Sequence, residues 1–250
     1  MKRLYAPGAI EAADVIEGRV EPHYAKTLTR LLAAHAITQK LTAVGYQRAL
    51  ETVDDMELRA TIEKHFAEEC RHARLIYQIL EQIGISETAA DRSMVPAMKG
   101  PSFAAPRHFA ENPGDVLDLL MASLSLDVSG LMIIGVNYRE SSYAPHQRAA
   151  EIILDEEGDH EMFAAAQLRE AAERFGAEQV NAGLRKWLPR AVNFFGPPGS
   201  GFTFDCIRYG LKARDNGDLA EMYLTMIERR VEQTGLEMPH LTSVYPHTLI

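Results

Sequence analysis

The stretch AEECRHARLI, residues 67–76, decides the fold. It sets Glu69 and His72 three residues apart, in a proline-free run with apolar residues at helical spacing. On an α-helix, positions i and i+3 share a face, so one metal ion can reach both side chains. A single Glu-x-x-His pair is weak evidence, because it reads equally well as a solvated acid–base pair. A second copy changes the weighing. LDEEGDHEMFA, residues 154–164, places Glu157 and His160 at the same spacing, and Glu156 mirrors Glu68. Both members of the second pair lie 88 residues after those of the first.

Carboxylate-bridged dimetal bundles use such a pair on each of two helices, and one carboxylate from each of the other two. Upstream of the second motif, LLMASLSLDVSGLMIIGV (residues 119–136) holds a single ionisable residue, Asp127. A buried carboxylate there is costly unless it is paired, protonated or bound to metal. Hydrogen bonds from neighbouring Ser or Tyr hydroxyls are the structural alternative; the repeat favours metal. Asp127 precedes Glu157 by 30 residues, and the same step back from Glu69 reaches Gln39, again 88 residues before Asp127. Three positions on one offset imply two hairpins related by a pseudo-twofold.

Gln39 is the irregular member. A neutral amide is a weak ligand for a hard cation, and Glu69, Asp127 and Glu157 are three carboxylates facing the four charges of two divalent ions. Three readings follow. Gln39 ligates weakly or from outside the coordination sphere; His35, one turn earlier on the same face, substitutes for it; or the first metal position is weak or empty. His23, His65, His108, His146, His240 and His247 show no matching partners and read as surface or loop residues. Cys70, inside the first motif but off its ligand face, reads as packing.

Helical spacing outward from the motifs predicts helices over about 24–53, 56–83, 113–139 and 145–175. Asp54 or Asp55 is suited to cap the second, and Pro113 to the first turn of the third. Residues 85–112, with Pro96, Gly100, Pro101, Pro106 and Asn112, read as a long crossover loop. Residues 177–250 read as shorter helices around FFGPPGSG (194–201), and no period-two run suggests a strand. The expected architecture is all-α: a ferritin-like four-helix bundle of two hairpins and a long crossover, with extra C-terminal helices. One domain spans 1–250, with the bundle at about 24–176 and the extension at about 177–250.

Composition narrows the function. The 250 residues are 46% hydrophobic and 24% charged, an ordinary globular balance. A net charge of −9 speaks against nucleic-acid binding, which needs a basic face. The two cysteines form no CxxC pair, so no thiolate metal site is expected. MKRLYAPGAIEAADVIEGRV at the N-terminus lacks an apolar core, and the apolar run around LMIIGV is too short to cross a bilayer. A cytoplasmic protein without a membrane segment is expected.

The two Glu-x-x-His helices, the crossover and the tail resemble the phenylacetic acid catabolic protein family. The tail LPRAVNFFGPPGSGFTFDCIRYGLKARDNGDLAEMYLTMIERRVEQTGLEMP is similar to the C-terminal stretch of that family's catalytic subunit, with its FGPP turn, basic helix and final GL-x-x-P. The resemblance covers about residues 24–239. It implies a ferritin-like fold holding two irons that reduce O2 and insert one oxygen atom into a substrate. Glu69, His72, Glu157 and His160 match the ligand motifs, Asp127 takes the third-helix carboxylate position, and Gln39 departs from the acidic residue expected on the first helix.

Carboxylate and imidazole ligands suit iron, or manganese in one or both positions. The expected substrate is a small organic molecule, an aryl-CoA-type thioester among the options, with Lys212, Arg214, Arg229 and Arg230 as candidates for its phosphates. The FGPPGSG loop reads as a tight connection rather than a substrate entrance. No flavin, iron–sulfur or nicotinamide site is visible, so a separate reductase and a homo- or hetero-oligomer are expected. Three alternatives stand beside this reading. They are a non-catalytic structural subunit of a multicomponent oxygenase, a di-iron hydroxylase of another substrate such as modified tRNA, and iron storage.

Overall fold

The computed structural model describes residues 2–236 and 238. Four long helices form the bundle: α2 (Pro22–Ala49), α3 (Met56–Gln82), α6 (Val116–Met132) and α7 (Ala144–Phe175), preceded by the short α1 (Ala12–Ile16). Packing is heaviest between α2 and α3 and between α6 and α7, the two expected hairpins. Among the described residues there is no strand, only an isolated bridge between Ile10 and Tyr143. The architecture is an all-α, ferritin-like bundle.

The ends of the helices follow local chemistry. Pro22 opens α2, where its missing N–H costs nothing. Asp55 caps α3 by accepting from the N–H groups of Glu57 and Leu58 at 3.0 and 2.9 Å. Gly84, at φ +80°, turns the chain out of α3. The third bundle helix starts later than expected. Asp115 caps it by accepting from Asp118 N–H at 2.9 Å, which leaves Pro113 ahead of the helix rather than in its first turn.

The crossover corrects the expected loop, for it is mostly helical: α4 (Glu87–Met98), a 3₁₀ turn at Pro101–Phe103 and α5 (Ala104–Glu111). Its prolines act largely as helix starters. Pro101 opens the 3₁₀ turn, Pro106 sits near the start of α5, and only Pro96 lies well inside a helix, close to the end of α4. Gly45 lets α5 pack on α2, because a Cβ there would run into the ring of Phe109.

The α6 helix passes into a π turn (Ile133–Asn137) and a 3₁₀ turn (Tyr138–Glu140). The helical stretch Val116–Glu140 is therefore 25 residues long and apolar enough to match a membrane span, contrary to the expectation from LMIIGV alone. It is the core helix of the bundle instead, with 72% of its apolar window buried. Ser125, Asp127 and Ser129 lie inside the bundle with its leucines.

Three further helices, α8 (Ala177–Phe194), α9 (Gly201–Tyr209) and α10 (Asn216–Gln233), complete the described chain. Trp187 of α8 is fully buried and donates from Nε1 to Asp118 of α6 at 2.9 Å. The N-terminal strap ties α9 to the bundle: Leu4 N–H donates to Arg208 C=O at 2.8 Å, and Ile10 N–H to Ser142 C=O at 2.9 Å.

Candidate metal centre

The bundle brings Glu69, His72, Asp127, Glu157 and His160 together, all buried. Ligand atoms of Glu69, His72 and Glu157 lie within 4.8 Å of one another, as do those of Asp127, Glu157 and His160. Glu157 belongs to both groups, the place of a carboxylate between two positions. His72 Nδ1 stands 3.9 Å from Glu69 and 3.8 Å from Glu157. Among the described residues neither that nitrogen nor Glu69 Oε2 has a hydrogen-bond partner, although both are buried. Buried polar atoms are almost always satisfied. Two unsatisfied ligand atoms in one cluster are what a cation would use, so the donor set fits a metal.

The glutamates ahead of the motifs cross between hairpins. Glu68 Oε2 lies 2.7 Å from His160 Nε2, and Glu156 Oε2 lies 2.8 Å from His72 Nε2. Burial pushes the Glu156 carboxyl up, but hydrogen bonds from Arg71 and His72 outweigh it and hold it below its usual range. An ionised Glu156 accepts a hydrogen bond from the Nε2–H of His72 and so keeps the proton on that nitrogen. That leaves the lone pair on Nδ1, which faces Glu69 and Glu157.

Without a metal the cluster resists charging. Burial drives the Glu69 carboxyl well above its ordinary range, and the nearby Glu157 and Asp127 add to this. Burial likewise pushes Glu157 up to about 8, partly opposed by a hydrogen bond from Gln39. Burial lowers His72. Asp127 combines both roles weighed for it. It accepts from Tyr46 Oη at 3.2 Å, and it belongs to the cluster with Glu157 and His160.

Gln39 is buried beside the cluster as a hydrogen-bond donor to Glu157. His35 lies outside the groups able to hold an ion. Its Nδ1 is 3.1 Å from His146 Nε2, and its Nε2 is 3.5 Å from the Gln39 amide nitrogen. Burial, then His146 and His72, keep His35 well below its ordinary pKa.

Several residues read as bland are not. His65 and His146 are buried rather than on the surface or in loops. His65 stacks on His160 at 3.8 Å between ring centroids and joins Glu68 and His160 in a third group of ligand atoms. The spacing offered a signal for it: His65 lies four residues before Glu69, on the same helix face. Tyr46, seven residues after Gln39, was similarly placed. His108 is half-buried against Trp187, and His23 is exposed, with its Nε2 2.9 Å from Asp205 Oδ2. His240 and His247 lie outside the described residues. Cys70 is exposed, so it is not a packing residue.

A cavity of about 370 Å³ adjoins the cluster. His35, Thr38, Gln39 and Gly130 line it, and so do Phe195, Pro197 and Lys212 of the C-terminal extension. The FGPPGSG loop is thus a wall of this cavity rather than a plain connection. Gly130 keeps the wall open at the cluster, because a Cβ there would sit 3.3 Å from Glu157 Oε2. Of the basic residues considered for phosphates, Lys212 lies in this cavity, whereas Arg214, Arg229 and Arg230 line a separate, open groove on α10.

The model of the family described as phenylacetic acid catabolic protein matches residues 15–246. No curated protein matches the chain in sequence. Among solved structures, a "putative class I ribonucleotide reductase" from Bacillus halodurans superposes with a TM-score of 0.62 at 14% identity, over 95% of this chain and 88% of that one. At that identity the likeness concerns the fold alone. The matched segment takes in both bundle hairpins and their ligand motifs, and the chain belongs to the phenylacetic acid catabolic protein family.

Proposed function

We propose that the protein is a non-haem di-iron oxygenase that inserts one atom of O2 into an organic substrate held in the cavity beside Gln39. The observation that carries this reading is the pair of unsatisfied ligand atoms, Glu69 Oε2 and His72 Nδ1, in a buried cluster that shares Glu157 with Asp127 and His160. Glu69, His72 and Glu157 would hold one ion, and Asp127, Glu157 and His160 the other. A bound ferrous pair supplies electrons to O2 at a point walled off from bulk water. Oxygenation consumes two electrons and two protons per turnover besides the two electrons the substrate gives up, because the second oxygen atom leaves as water, and the metal pair must regain those two electrons each time. A separate reductase is part of this reading, as are an oligomeric assembly and a cytoplasmic setting.

The chain's own groups prepare the site. Glu156 fixes the His72 tautomer. Tyr46 donates to Asp127 and steadies its orientation. The Gln39 amide donates to Glu157, leaving its oxygen for the ion. Ile133, Ile134, Phe103 and Phe195 give the cavity an apolar lining suited to an organic substrate.

A second reading is a structural subunit that has kept the motifs without the chemistry, and Gln39 is the observation in its favour. Anaerobic loading with ferrous iron separates the two. About two irons per chain, an optical change on exposure to O2 and loss of both in Glu157→Ala support the oxygenase. One iron or none, with no response to O2, selects the structural subunit.

A further inference from the structure

Lys212 is buried in the cavity wall, 7% exposed, yet among the described residues it forms no ion pair, and Asp215 acts on it only from a distance. Among the described residues its Nζ donates to the Asn216 side-chain oxygen at 3.0 Å, and no carboxylate lies within 4.0 Å. A buried ammonium left this way is costly, and proteins pair such charges. The rest of the lining gives it nothing anionic. The other ionisable residues there are Arg30, whose guanidinium lies 4.3 Å above the Phe202 ring, His35 and Tyr138. A cavity with two cations and no carboxylate, in a chain of net charge −9, is a local exception to the protein's overall sign.

The position of Lys212 is built. Its backbone N–H and that of Leu211 donate to Cys206 C=O, at 3.3 and 2.8 Å. The next two N–H groups, of Ala213 and Arg214, converge on the Asn137 side-chain oxygen at 3.0 and 2.9 Å. Asn137 closes the π turn of the third bundle helix, so the lysine is fixed to the element that also presents Ile133 and Ile134 to the cavity. Asn216 donates in turn to Pro197 C=O at 3.1 Å, which joins the lysine to the FGPPGSG loop. Burial lowers the Lys212 pKa and outweighs the opposing influence of Cys206 and Asp215, so no direct counter-ion offsets the cost of burying the charge.

We propose that Lys212 is an anion-binding residue of the substrate cavity, and that the ligand is a small, largely apolar carboxylic acid bound as the free carboxylate, with its apolar body in the cavity that also contains Gln39. This deepens the oxygenase reading and rests on it for the fate of the ligand, but not for its binding. A coenzyme A thioester offers a neutral carbonyl beside its apolar body and keeps its phosphates a pantetheine arm away; a free carboxylate carries its charge next to the apolar body, where Lys212 lies in the same cavity. The cavity volume suits an acid with one aromatic ring or a short chain.

Calorimetric titration of the metal-free full chain tests this without any turnover. The probes are a series of ω-phenylalkanoates from phenylacetate to 5-phenylpentanoate, their primary amides, and the coenzyme A thioester of the best acid. One acid of the series should bind at least tenfold more tightly than its amide and than its thioester. Lys212→Met should erase the preference for acid over amide, and Lys212→Arg should keep part of it. Melting curves of both variants report folding, and the wild-type comparison of acid with amide stands even if a variant fails to fold. Equal binding of acid and amide, tighter binding of the thioester, binding of no acid in the series, or a preference that survives Lys212→Met overturns the proposal. Iron loading and the response to O2 are read separately, so either idea can fail alone.

Discussion

Glu156 of the second hairpin reaches across the bundle to His72 of the first, 2.8 Å from Oε2 to Nε2, and Glu68 returns the contact to His160 at 2.7 Å. Each hairpin therefore orients a histidine of the other. A ligating histidine held this way keeps one tautomer and a more basic ring, and losing such a partner costs roughly 10–100-fold in metal affinity. Glu156→Gln should weaken ferrous binding within that range while leaving the helical circular dichroism unchanged. Competition with a chromophoric chelator measures it. Unchanged affinity in both Glu156→Gln and Glu68→Gln would mean that these contacts only fill space.

Gln39 makes the two metal positions unequal. It faces Glu157 with a neutral amide, where the pseudo-twofold sets Asp127 in the other half. Ions should therefore bind in two steps, first to Asp127, Glu157 and His160 and then to Glu69 and His72. Replacing a neutral ligand group by a charged one strengthens the contact. Glu at position 39, in Gln39→Glu, should tighten the second step by roughly tenfold, about 1.4 kcal/mol. Stepwise calorimetry resolves the two events, and a wild-type isotherm with two equal sites would contradict the asymmetry.

The metal-free protein should lose stability as pH rises from 6.5 to 8. Burial lifts the Glu157 carboxyl from 4.5 to about 8 and moves Glu69 in the same direction. A raised carboxyl pKa means that the folded state holds a proton the unfolded chain has released. Its contribution is complete below 4.5 and is lost as pH climbs through 8. The buried histidines act oppositely. His72 and His35 are lowered, and His146 falls to about 3, so their effect is a gain of stability up to 6.5 and none beyond. Metal loading should reverse the trend, because the ion needs the deprotonated carboxylates. Melting temperatures at pH 6.5 and 8.0, with and without metal, check both signs.

Gly45→Ala should destabilise the fold without touching the site. The added methyl meets the Phe109 ring, itself fully buried between Tyr46 and Trp187, so it has little room to yield. Overpacking of this kind costs about 1–3 kcal/mol. Urea denaturation should show a lower midpoint, with iron stoichiometry kept.

The site was more readable in the sequence than its surroundings were. Glu69, His72, Asp127, Glu157 and His160 announce themselves by helical spacing and a shared offset, and the structure brings these five together. The crossover helices do not show in the sequence because Pro101 and Pro106 have the look of breakers, whereas they stand in first turns. His65 carries a signal in its spacing from Glu69, but His146 does not, because burial of a lone histidine depends on which faces meet, which a single helix does not disclose. The FGPPGSG loop gave no sign that it walls a cavity, since that follows from where α8 and α9 dock.

The offset of 88 residues carries a last implication. Two hairpins in twofold register have no preferred side, yet Gln39 and Gly130 line the cavity and their counterparts Asp127 and Thr42 do not. Position 42 is Thr and its counterpart 130 is Gly; position 39 is Gln and its counterpart is Asp; position 35 is His and its counterpart is Ser123. In the first hairpin the ligand position holds Gln39, part of the chamber wall; in the second it holds Asp127, part of the cluster, while Gly130 borders the chamber without a side chain. On the oxygenase reading, a symmetric frame with its symmetry broken at these few positions leaves a guest molecule one approach, and so one face open to oxygenation.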